Sequence, residues 1–272
     1  MIKGNIAIIA GRGILPQLLI KELQKQDLKF TIFLLKSEQY ENSYQEFNPI
    51  SFEYGEVEKL LDNMSKHDIK NIVFAGAVNK PNFSQLKFDK TGRKLLGKIL
   101  ANKILGDDAV LRTVINFFEK RNIKILTIDQ IIDCQIKQKG VLTLNKPNKD
   151  DLENIKIGTK AIKKFSKFDV GQSVIVAQKQ IIMVEGVAGT DAMIKELARL
   201  DSSYKNSAVL VKLKKTNQSR KADLPAIGLQ TIENCHKSQI KGIAIEAKST
   251  LILQKKELIK KADDLGIFII VI

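Results

Sequence analysis

The sequence predicts an α/β fold with two domains. Short apolar strands alternate with amphipathic helices, a glycine turn follows the first strand, and a polar stretch interrupts the pattern near the middle of the chain. Strands that alternate with helices indicate parallel βαβ units with helices on both faces of a sheet. At 272 residues with 44% hydrophobic content, the chain is long enough for one large or two modest domains.

The first half supplies the elements of a Rossmann-like parallel sheet domain, which we place at residues 1–135. Its first strand, at 5–10, runs into the turn "GRGILP" and then into helical periodicity at 17–26. The remaining predicted elements are strands at 28–35, 71–75 and 123–128 and helices at 57–66, 94–105 and 108–121.

A polar segment separates the two halves. Between Cys134 and Asp151 the chain reads "QIKQKGVLTLNKPNKD", which is punctuated by Gly140 and Pro147. Polar composition with glycine and proline is typical of a linker, so we predict one at 136–150.

The second half, at 151–272, predicts an α/β domain with a mixed sheet. The run "SVIVAQKQIIMVEGV" contains two strands joined by a tight polar turn at 177–180. The other predicted elements are strands at 207–213, 242–247, 250–253 and 267–272 and helices at 152–165, 231–238 and 255–265.

The formal net charge of +15 is compatible with an anionic partner, such as nucleic acid, a phosphorylated substrate or an acidic membrane surface, but biased codon usage explains the Lys, Ile and Asn richness equally well, so net charge alone decides little. Nucleic acid is disfavoured, because only six of the 45 basic residues are Arg, Trp is missing and aromatic residues make up 6%. Groove readout favours Arg, and single-strand binding favours aromatic stacking. We therefore expect no nucleic-acid partner.

The two cysteines, Cys134 and Cys235, form neither a CxxC pair nor a disulfide framework. The apolar run before Gly11 is too short for a signal peptide, and the apolar run "IFIIVI" is too short to cross a bilayer. We expect a cytoplasmic protein.

The first candidate site is the glycine turn after the first strand. Gly11 and Gly13 lie where backbone N–H groups and a helix N-terminus bind phosphate in many α/β proteins. The dinucleotide fingerprint needs a third glycine, and Pro16 stands there. Both a nucleotide site and a turn that only reverses the chain remain open.

The second candidate is "GDD", in which Asp107 and Asp108 precede an apolar-periodic helix. One Asp is a favoured helix cap, and acidic side chains are stabilised at a helix start. Two adjacent Asp exceed what a cap needs, so a cation or a sugar hydroxyl is an equal alternative.

The third candidate is "VEGVAGTDAMI". Glu185 ends a strand, Gly186 and Gly189 allow a close turn, and Thr190 and Asp191 begin a helix. Loops at strand ends of α/β sheets are where ligands bind, and capping alone does not explain Glu185 together with both helix-start residues. We favour a functional role here.

The fourth candidate is "LVKLKKTNQSRKADLPAIG". Asp223 lies in a basic loop that follows a strand ending at Lys212. Such a carboxylate suits metal coordination or the orientation of water, and the nearby cations suit phosphate. The alternative is a solvated loop anchored by Pro225. The sequence contains no GxSxG, HExxH or GxxxxGK[ST] motif, which disfavours serine hydrolases, zincins and P-loop enzymes.

These segments together resemble one family. "FDVGQSVIVAQKQIIMVEGVAGTDAMI", "LVKL" and "DLPAIG", with "IAGRGILP" and "GDD" earlier, are similar to the two-domain, metal-dependent UDP-2,3-diacylglucosamine pyrophosphatases of lipid A biosynthesis in Gram-negative bacteria. The resemblance extends along essentially the whole chain.

The resemblance implies Mg²⁺-dependent hydrolysis of UDP-2,3-diacylglucosamine at the α-phosphorus, giving UMP and 2,3-diacylglucosamine 1-phosphate (lipid X). It implies a first domain that binds the uridine nucleotide, a second that binds the acylated sugar phosphate, and catalysis between them. It places Asp223, Asp191 and Lys212 in catalysis, the two carboxylates also binding metal. The residues it implies for substrate binding are Gly11, Gly13, Asp107, Asp108, Gln172, Glu185 and Thr190.

Two positions depart from the pattern that we expect of the family. Ser219 stands where an acidic residue is expected, and Lys221 stands where an arginine is expected. Lys keeps the positive charge of Arg but not its planar guanidinium fork. We therefore expect this difference to affect the fine positioning of bound groups more than the class of reaction.

The implied partners are the substrate, the anionic inner-membrane surface, which the protein would contact peripherally, and a second copy in a homodimer. The alternative function is a nucleotide-sugar oxidoreductase that binds a dinucleotide at the glycine turn. It requires an acidic residue that closes the second strand, and "LLK" at Leu34–Lys36 supplies none. A nucleic-acid-binding protein is a third, non-enzymatic reading.

Overall fold

The computed structural model describes residues 2, 4–40, 44–79, 81–103, 107–166, 171–199, 202–215, 221 and 224–272. These residues form two compact units that divide between Asp133 and Cys134, with Lys221 belonging to the first unit. None of the helices in these ranges is both long enough and apolar enough to span a membrane.

The first unit contains a five-stranded sheet in the order β3-β2-β1-β4-β5, in which all neighbours are parallel. The chain order reverses at β1, which is the topological switch point where α/β sheets bind ligands. The strands are β1 (Asn5–Ala10), β2 (Phe30–Leu35), β3 (Ile50–Phe52), β4 (Ile69–Ala75) and β5 (Lys124–Leu126).

Helices cover both faces of this sheet, because successive side chains of β1 point in opposite directions. Ile8 packs with α1, and Ile9 belongs to the core on the α2, α3 and α4 side. The helices are α1 (Leu15–Lys25), α2 (Val57–Lys66), α3 (Lys90–Lys103) and α4 (Asp107–Glu119). The parallel sheet domain predicted from the sequence is confirmed.

The second unit contains a six-stranded mixed sheet in the order β6-β13-β11-β9-β7-β8. The three strands β13, β11 and β9 are parallel, whereas β6 and the β7–β8 hairpin are antiparallel to their neighbours. The strands are β6 (Gly140–Val141), β7 (Ser173–Ala177), β8 (Gln180–Val184), β9 (Ala208–Lys212), β11 (Ile240–Ile245) and β13 (Phe268–Val271). The predicted mixed sheet is confirmed.

Helices also cover both faces of the second sheet. Ile162 of α5 packs against Val211 on one face, and Ile194 and Ile232 of α6 and α7 pack on the other. The helices are α5 (Lys149–Phe165), α6 (Thr190–Leu197), α7 (Leu229–Lys237) and α8 (Lys255–Asp264). A separate two-stranded parallel sheet pairs β10 (Ala226–Ile227) with β12 (Leu251–Ile252).

Residues 136–150, predicted as a linker, are part of the second unit. Val141 pairs with Ile270 at the edge of the sheet, the Thr143 hydroxyl accepts a hydrogen bond from Ile269 N, and the Asn148 side chain caps α5. A two-residue edge strand gives almost no apolar pattern, and a helix cap is polar. The segment therefore has the composition of a linker although it is folded. We therefore assign 136–150 to the second unit.

The packing of β11 against β13 gives a stability prediction. An ideal Cβ on Gly242 would lie 2.2 Å from Phe268 Cζ, and Phe268 is 1% exposed. We expect Gly242→Ala to lower the free energy of unfolding by roughly 1–3 kcal/mol, because the buried ring cannot move away without strain. Urea denaturation of the purified variant measures the change.

The matched control is Gly97→Ala in α3, where a Cβ meets no heavy atom within 4 Å. Alanine is favoured over glycine in a helix by about 1 kcal/mol, so this variant should be as stable as wild type or more stable. Equal midpoints for Gly242→Ala and wild type would contradict the packing argument.

Candidate functional site

Polar side chains collect at the carboxyl edge of the sheet in each unit, and the two collections are described separately. The Arg12 cluster in the first unit consists of Arg12, Glu38, Tyr54 and Asn79. The Lys212 cluster in the second unit consists of Ser173, Glu185, Thr190 and Lys212. Carboxyl edges of α/β sheets are where such folds place binding sites.

In the first unit, the loops after β1 and β4 are hydrogen-bonded to each other. Arg12 N donates to Ala77 O over 2.8 Å, and Ala77 N donates to Arg12 O over 3.1 Å. A Cβ on Gly11 would lie only 2.4 Å from Ala77 O. The close approach of the two loops therefore requires the glycine at position 11, whether or not a phosphate binds there.

Gly13 has a different environment. Its φ of +91° lies in the left-handed region, and a Cβ there would meet no heavy atom within 4 Å. The turn leads into α1, which begins at Leu15 with Pro16 in its first turn. Of the two predicted glycines, Gly13 is thus the one whose backbone faces open space that a ligand can enter.

Glu38 is the centre of the Arg12 cluster, and its side chain is 0% exposed. Its Oε1 accepts a hydrogen bond from Asn79 N (2.7 Å), and its Oε2 accepts one from Asn79 Nδ2 (3.3 Å). Arg12 Nε lies 3.3 Å from Oε2, and Arg12 Nη2 donates to Asn79 Oδ1 over 2.8 Å. The carboxylate thus joins the loops that follow three strands.

Glu38 also bears on the dinucleotide alternative. An acidic residue does follow β2, three positions after Leu35, where the sequence analysis did not expect one. Its side chain is 0% exposed, however, and both oxygens contact Asn79 or Arg12, so no acceptor is accessible to a ribose hydroxyl. Its presence therefore gives no support to a dinucleotide site.

Two tyrosine hydroxyls surround the same loops. Tyr54 Oη donates to Asn79 O over 2.8 Å, whereas Tyr40 Oη donates to Ala10 O over 3.2 Å and accepts from Leu35 N. Burial, reinforced by the nearby Glu38 carboxylate, raises the pKa of each tyrosine to about 12. Both hydroxyls are therefore protonated donors at neutral pH.

The Lys212 cluster is assembled by strand pairing. Lys212 ends β9 and lies opposite Ser173, which begins the antiparallel strand β7. Lys212 Nζ donates to Thr190 Oγ1 over 2.9 Å, and Ser173 Oγ lies 3.1 Å from the same oxygen. Lys212 is only 7% exposed, so its ammonium group donates to the Thr190 hydroxyl in a largely buried place.

Glu185 fixes the backbone beside this ammonium. Its N–H donates to Ser173 O over 2.9 Å, and its Oε2 accepts from Gln172 N over 3.1 Å. A Cβ on Gly171 would lie 2.3 Å from Glu185 O, so the two segments touch directly. Gln172, Glu185, Thr190 and Lys212, which were singled out from the sequence, are thus neighbours, and Ser173 is an addition that the sequence analysis missed.

Asp191 lies in the first turn of α6, where the helix dipole favours a negative charge. Its side chain is exposed, and its Oδ1 accepts a hydrogen bond from Nδ2 of the buried Asn234 over 3.1 Å. Burial raises the pKa of the neighbouring Cys235 thiol, and the Asp191 carboxylate acts in the same direction. Cys235 is therefore an uncharged core residue.

The described residues contain no group of three His, Cys, Asp or Glu side chains arranged to hold a metal. Mg²⁺ does not require such a group, because it is often bound by one or two carboxylates together with substrate phosphates and water. Asp191, exposed and oriented by Asn234, fits that kind of site. Glu185 fits it less well, because its carboxylate is buried against Gln172.

Three other predicted residues, all aspartates, have side chains outside the described part of the structure. Asp223 lies outside the described residues. Asp107 and Asp108 begin α4, but their side chains are also outside the described part of the structure. Lys221, one of the cations near Asp223 in sequence and the residue that stands where an arginine is expected, forms an ion pair with Glu119.

Comparison with known proteins gives two family matches that follow each other along the chain. Residues 5–134 match the model of the LpxI N-terminal domain, and residues 138–270 match that of the LpxI C-terminal domain. A protein of Caulobacter vibrioides, named UDP-2,3-diacylglucosamine pyrophosphatase LpxI, is 29% identical over 271 residues. The alignment covers 98% of this chain and 96% of that protein.

The tyrosines of the first unit give a pH prediction. Because the folded pKa values of Tyr40 and Tyr54 are about 12, above the ordinary value of 10.0, their contribution to stability is complete below pH 10. It is lost as the pH rises through about 12, since the unfolded chain then releases protons more readily. Titration of tyrosinate absorbance should show a late phase that Tyr40→Phe and Tyr54→Phe each reduce.

The control is the same titration in urea, where both side chains should ionise at the ordinary tyrosine pKa. Ionisation of both near their ordinary pKa in the folded protein would contradict the contacts described for these hydroxyls.

Proposed function

This chain belongs to the LpxI family, and from that membership we propose that it hydrolyses UDP-2,3-diacylglucosamine. The observation that carries the proposal is the extent of the match. The N-terminal domain model matches residues 5–134, and the C-terminal domain model matches residues 138–270. The Caulobacter vibrioides relative, whose name states this activity, aligns over 98% of the chain. The enzyme is on this basis a hydrolase of a nucleotide-sugar diphosphate.

We propose that water attacks the α-phosphorus. The new bond joins the water oxygen to that phosphorus, and the bond from the α-phosphorus to the bridging oxygen breaks. The products are UMP, which carries the new oxygen, and 2,3-diacylglucosamine 1-phosphate (lipid X), and the two protons of the attacking water are released when both phosphomonoesters are fully ionised. The diphosphate is strongly anionic, so the site must offset charge that otherwise repels the attacking oxygen.

Lys212 is the residue we assign to that task in the second unit. Lys212 is 7% exposed, and in such a place a charge interacts with a phosphoryl oxygen more strongly than it would in water. Thr190 accepts from the ammonium at the end of β9, Ser173 contacts the Thr190 hydroxyl, and Glu185 accepts from the Gln172 backbone nearby. Following the family resemblance, we assign the sugar phosphate to the second unit and the uridine nucleotide to the first.

We propose that Asp191 and Asp223 hold Mg²⁺. When bound, the metal would neutralise part of the charge of the diphosphate and orient the phosphate oxygens. Support for Asp191 comes from its exposed carboxylate at the start of α6, which Asn234 orients. Support for Asp223 comes from its place in the "DLP" segment alone.

The substrate also suggests where the enzyme works. Two acyl chains keep UDP-2,3-diacylglucosamine in or near a membrane, and a formal charge of +15 favours contact with an anionic surface. We propose that the protein acts from the cytoplasm at the inner-membrane surface. We also propose that the protein forms a homodimer, as its family resemblance implies.

The direct test is incubation of the purified protein with UDP-2,3-diacylglucosamine and Mg²⁺ in ¹⁸O-labelled water. We expect UMP and 2,3-diacylglucosamine 1-phosphate, with the label on UMP, and we expect EDTA to stop the reaction until Mg²⁺ is restored. Mass analysis of both products reads the outcome. Failure to form UMP would refute the activity, and label on the lipid phosphate would refute attack at the α-phosphorus.

Replacement of Lys212 tests its assigned role. Lys212→Met keeps an unbranched chain that can pack in the same space. We expect it to lower kcat by roughly 10²–10³-fold, the usual cost of losing one charge-stabilising donor. Steady-state kinetics should be accompanied by thermal denaturation to verify folding.

Lys195→Met is the matched control, because Lys195 lies on the exposed side of α6. It should retain wild-type kcat. A folded Lys212→Met variant that turns over substrate at the wild-type rate would remove Lys212 from the mechanism.

A further inference from the structure

Arg12 occupies the place in the first unit where an anionic ligand is expected. It follows β1, the strand at which the order β3-β2-β1-β4-β5 reverses. Crevices at the carboxyl side of such a switch point bind ligands in open α/β sheets. The Arg12 side chain is 39% exposed, so part of its guanidinium surface is accessible to solvent at that edge.

The guanidinium is held before any ligand arrives. The Arg12 backbone makes two hydrogen bonds with Ala77, and Nη2 donates to Asn79 Oδ1 over 2.8 Å. Nε is buried 3.3 Å from Glu38 Oε2, a distance suited to an ion pair although the geometry is not that of an aligned hydrogen bond. A group that is already oriented loses less entropy when it binds an anion.

Burial of the Glu38 carboxylate is unfavourable for folding unless other groups compensate its charge. A carboxylate with 0% side-chain exposure requires a compensating cation and hydrogen bonds, and Arg12 and Asn79 provide them. The same carboxylate accepts from the Asn79 backbone, so it joins the loop after β4 to the loop after β1. It thereby fixes both the position of the guanidinium and the spacing of these two loops.

We infer that Arg12 binds a phosphate of the uridine nucleotide in the first unit and that Glu38 is the positioning residue that holds Arg12 for this contact. The nature of the ligand rests on the proposed function, whereas the arrangement of the two side chains does not. Gly13, whose Cβ position is open, lies next to Arg12 and leaves room for the phosphate to approach.

The test measures binding of UMP and of uridine by calorimetry to wild type, Arg12→Gln, Glu38→Gln and the double variant. We expect Arg12→Gln to weaken UMP binding at least ~10-fold and to leave uridine binding unchanged, because only UMP carries the phosphate. Arg93→Gln is the control, since Arg93 is an exposed arginine on α3 of the same unit.

A double-mutant cycle separates positioning from a general structural effect. Glu38→Gln should weaken UMP binding when Arg12 is present and have no further effect in the Arg12→Gln background. In turnover of the UDP-sugar, the same substitutions should raise KM more than they lower kcat. A Glu38→Gln variant that binds UMP as tightly as wild type, or losses that simply add, would overturn the positioning role.

Arg12→Gln leaves a buried carboxylate without its cation and can fail to fold for that reason. The double variant removes both charges, so it provides the decisive measurement in that case. If the folded double variant binds UMP as wild type does, the assignment of Arg12 is overturned.

The two proposals fail in different ways. Arg12-dependent UMP binding without hydrolysis of UDP-2,3-diacylglucosamine would support this inference and refute the proposed function. Hydrolysis by wild type together with UMP binding that is unaffected in Arg12→Gln would refute the inference and leave the proposed function intact.

Discussion

The buried ammonium of Lys212 is the interaction on which the candidate site in the second unit depends. A lysine that is only 7% exposed destabilises a fold unless polar groups accompany its charge, and here Thr190 contacts the ammonium directly, with Ser173 next to that hydroxyl. The antiparallel pairing of β7 with β9 puts Ser173 opposite Lys212, and the β7–β8 hairpin returns Glu185 to the same edge. The mixed sheet is thus the reason that residues distant in sequence meet there.

The first unit also contains a buried charged side chain, of the opposite sign. Glu38 is a buried carboxylate at the carboxyl edge of a parallel sheet, and Arg12 and Asn79 compensate it from loops that follow two other strands. In both units the core is formed by the strand interiors and the helix faces that pack on them, whereas the residues of the two clusters lie at strand ends, in loops that follow strands or at a helix start. This separation lets the core specify the fold while the loops carry the chemistry.

Much of the fold could be predicted from the sequence because the strands are apolar and the helices are periodic. The short strand β3 was missed, since three residues at Ile50–Phe52 give too little pattern, and β6 was read as part of a linker for the same reason. The hairpin at 173–184 was predicted correctly, because a polar turn separates two apolar runs.

The candidate sites were predictable only where a residue type was unusual for its local position. Glu185 and Thr190 stood out at a strand end and a helix start, and the structure brings them near Lys212. Ser173 and Glu38 did not stand out, because a serine in a strand and a glutamate in a loop are ordinary, and only tertiary contacts show their surroundings. The roles of Asp107, Asp108 and Asp223 remain predictions from the sequence.

The most direct measurement of the central claim is the NMR signal of the Lys212 side chain, assigned with a Lys212→Arg variant, during titration with 2,3-diacylglucosamine 1-phosphate. If the ammonium receives the sugar phosphate, the Lys212 resonance should shift in proportion to binding while that of the exposed Lys195 stays unchanged. Saturable binding of the product without any change at Lys212 would contradict the account.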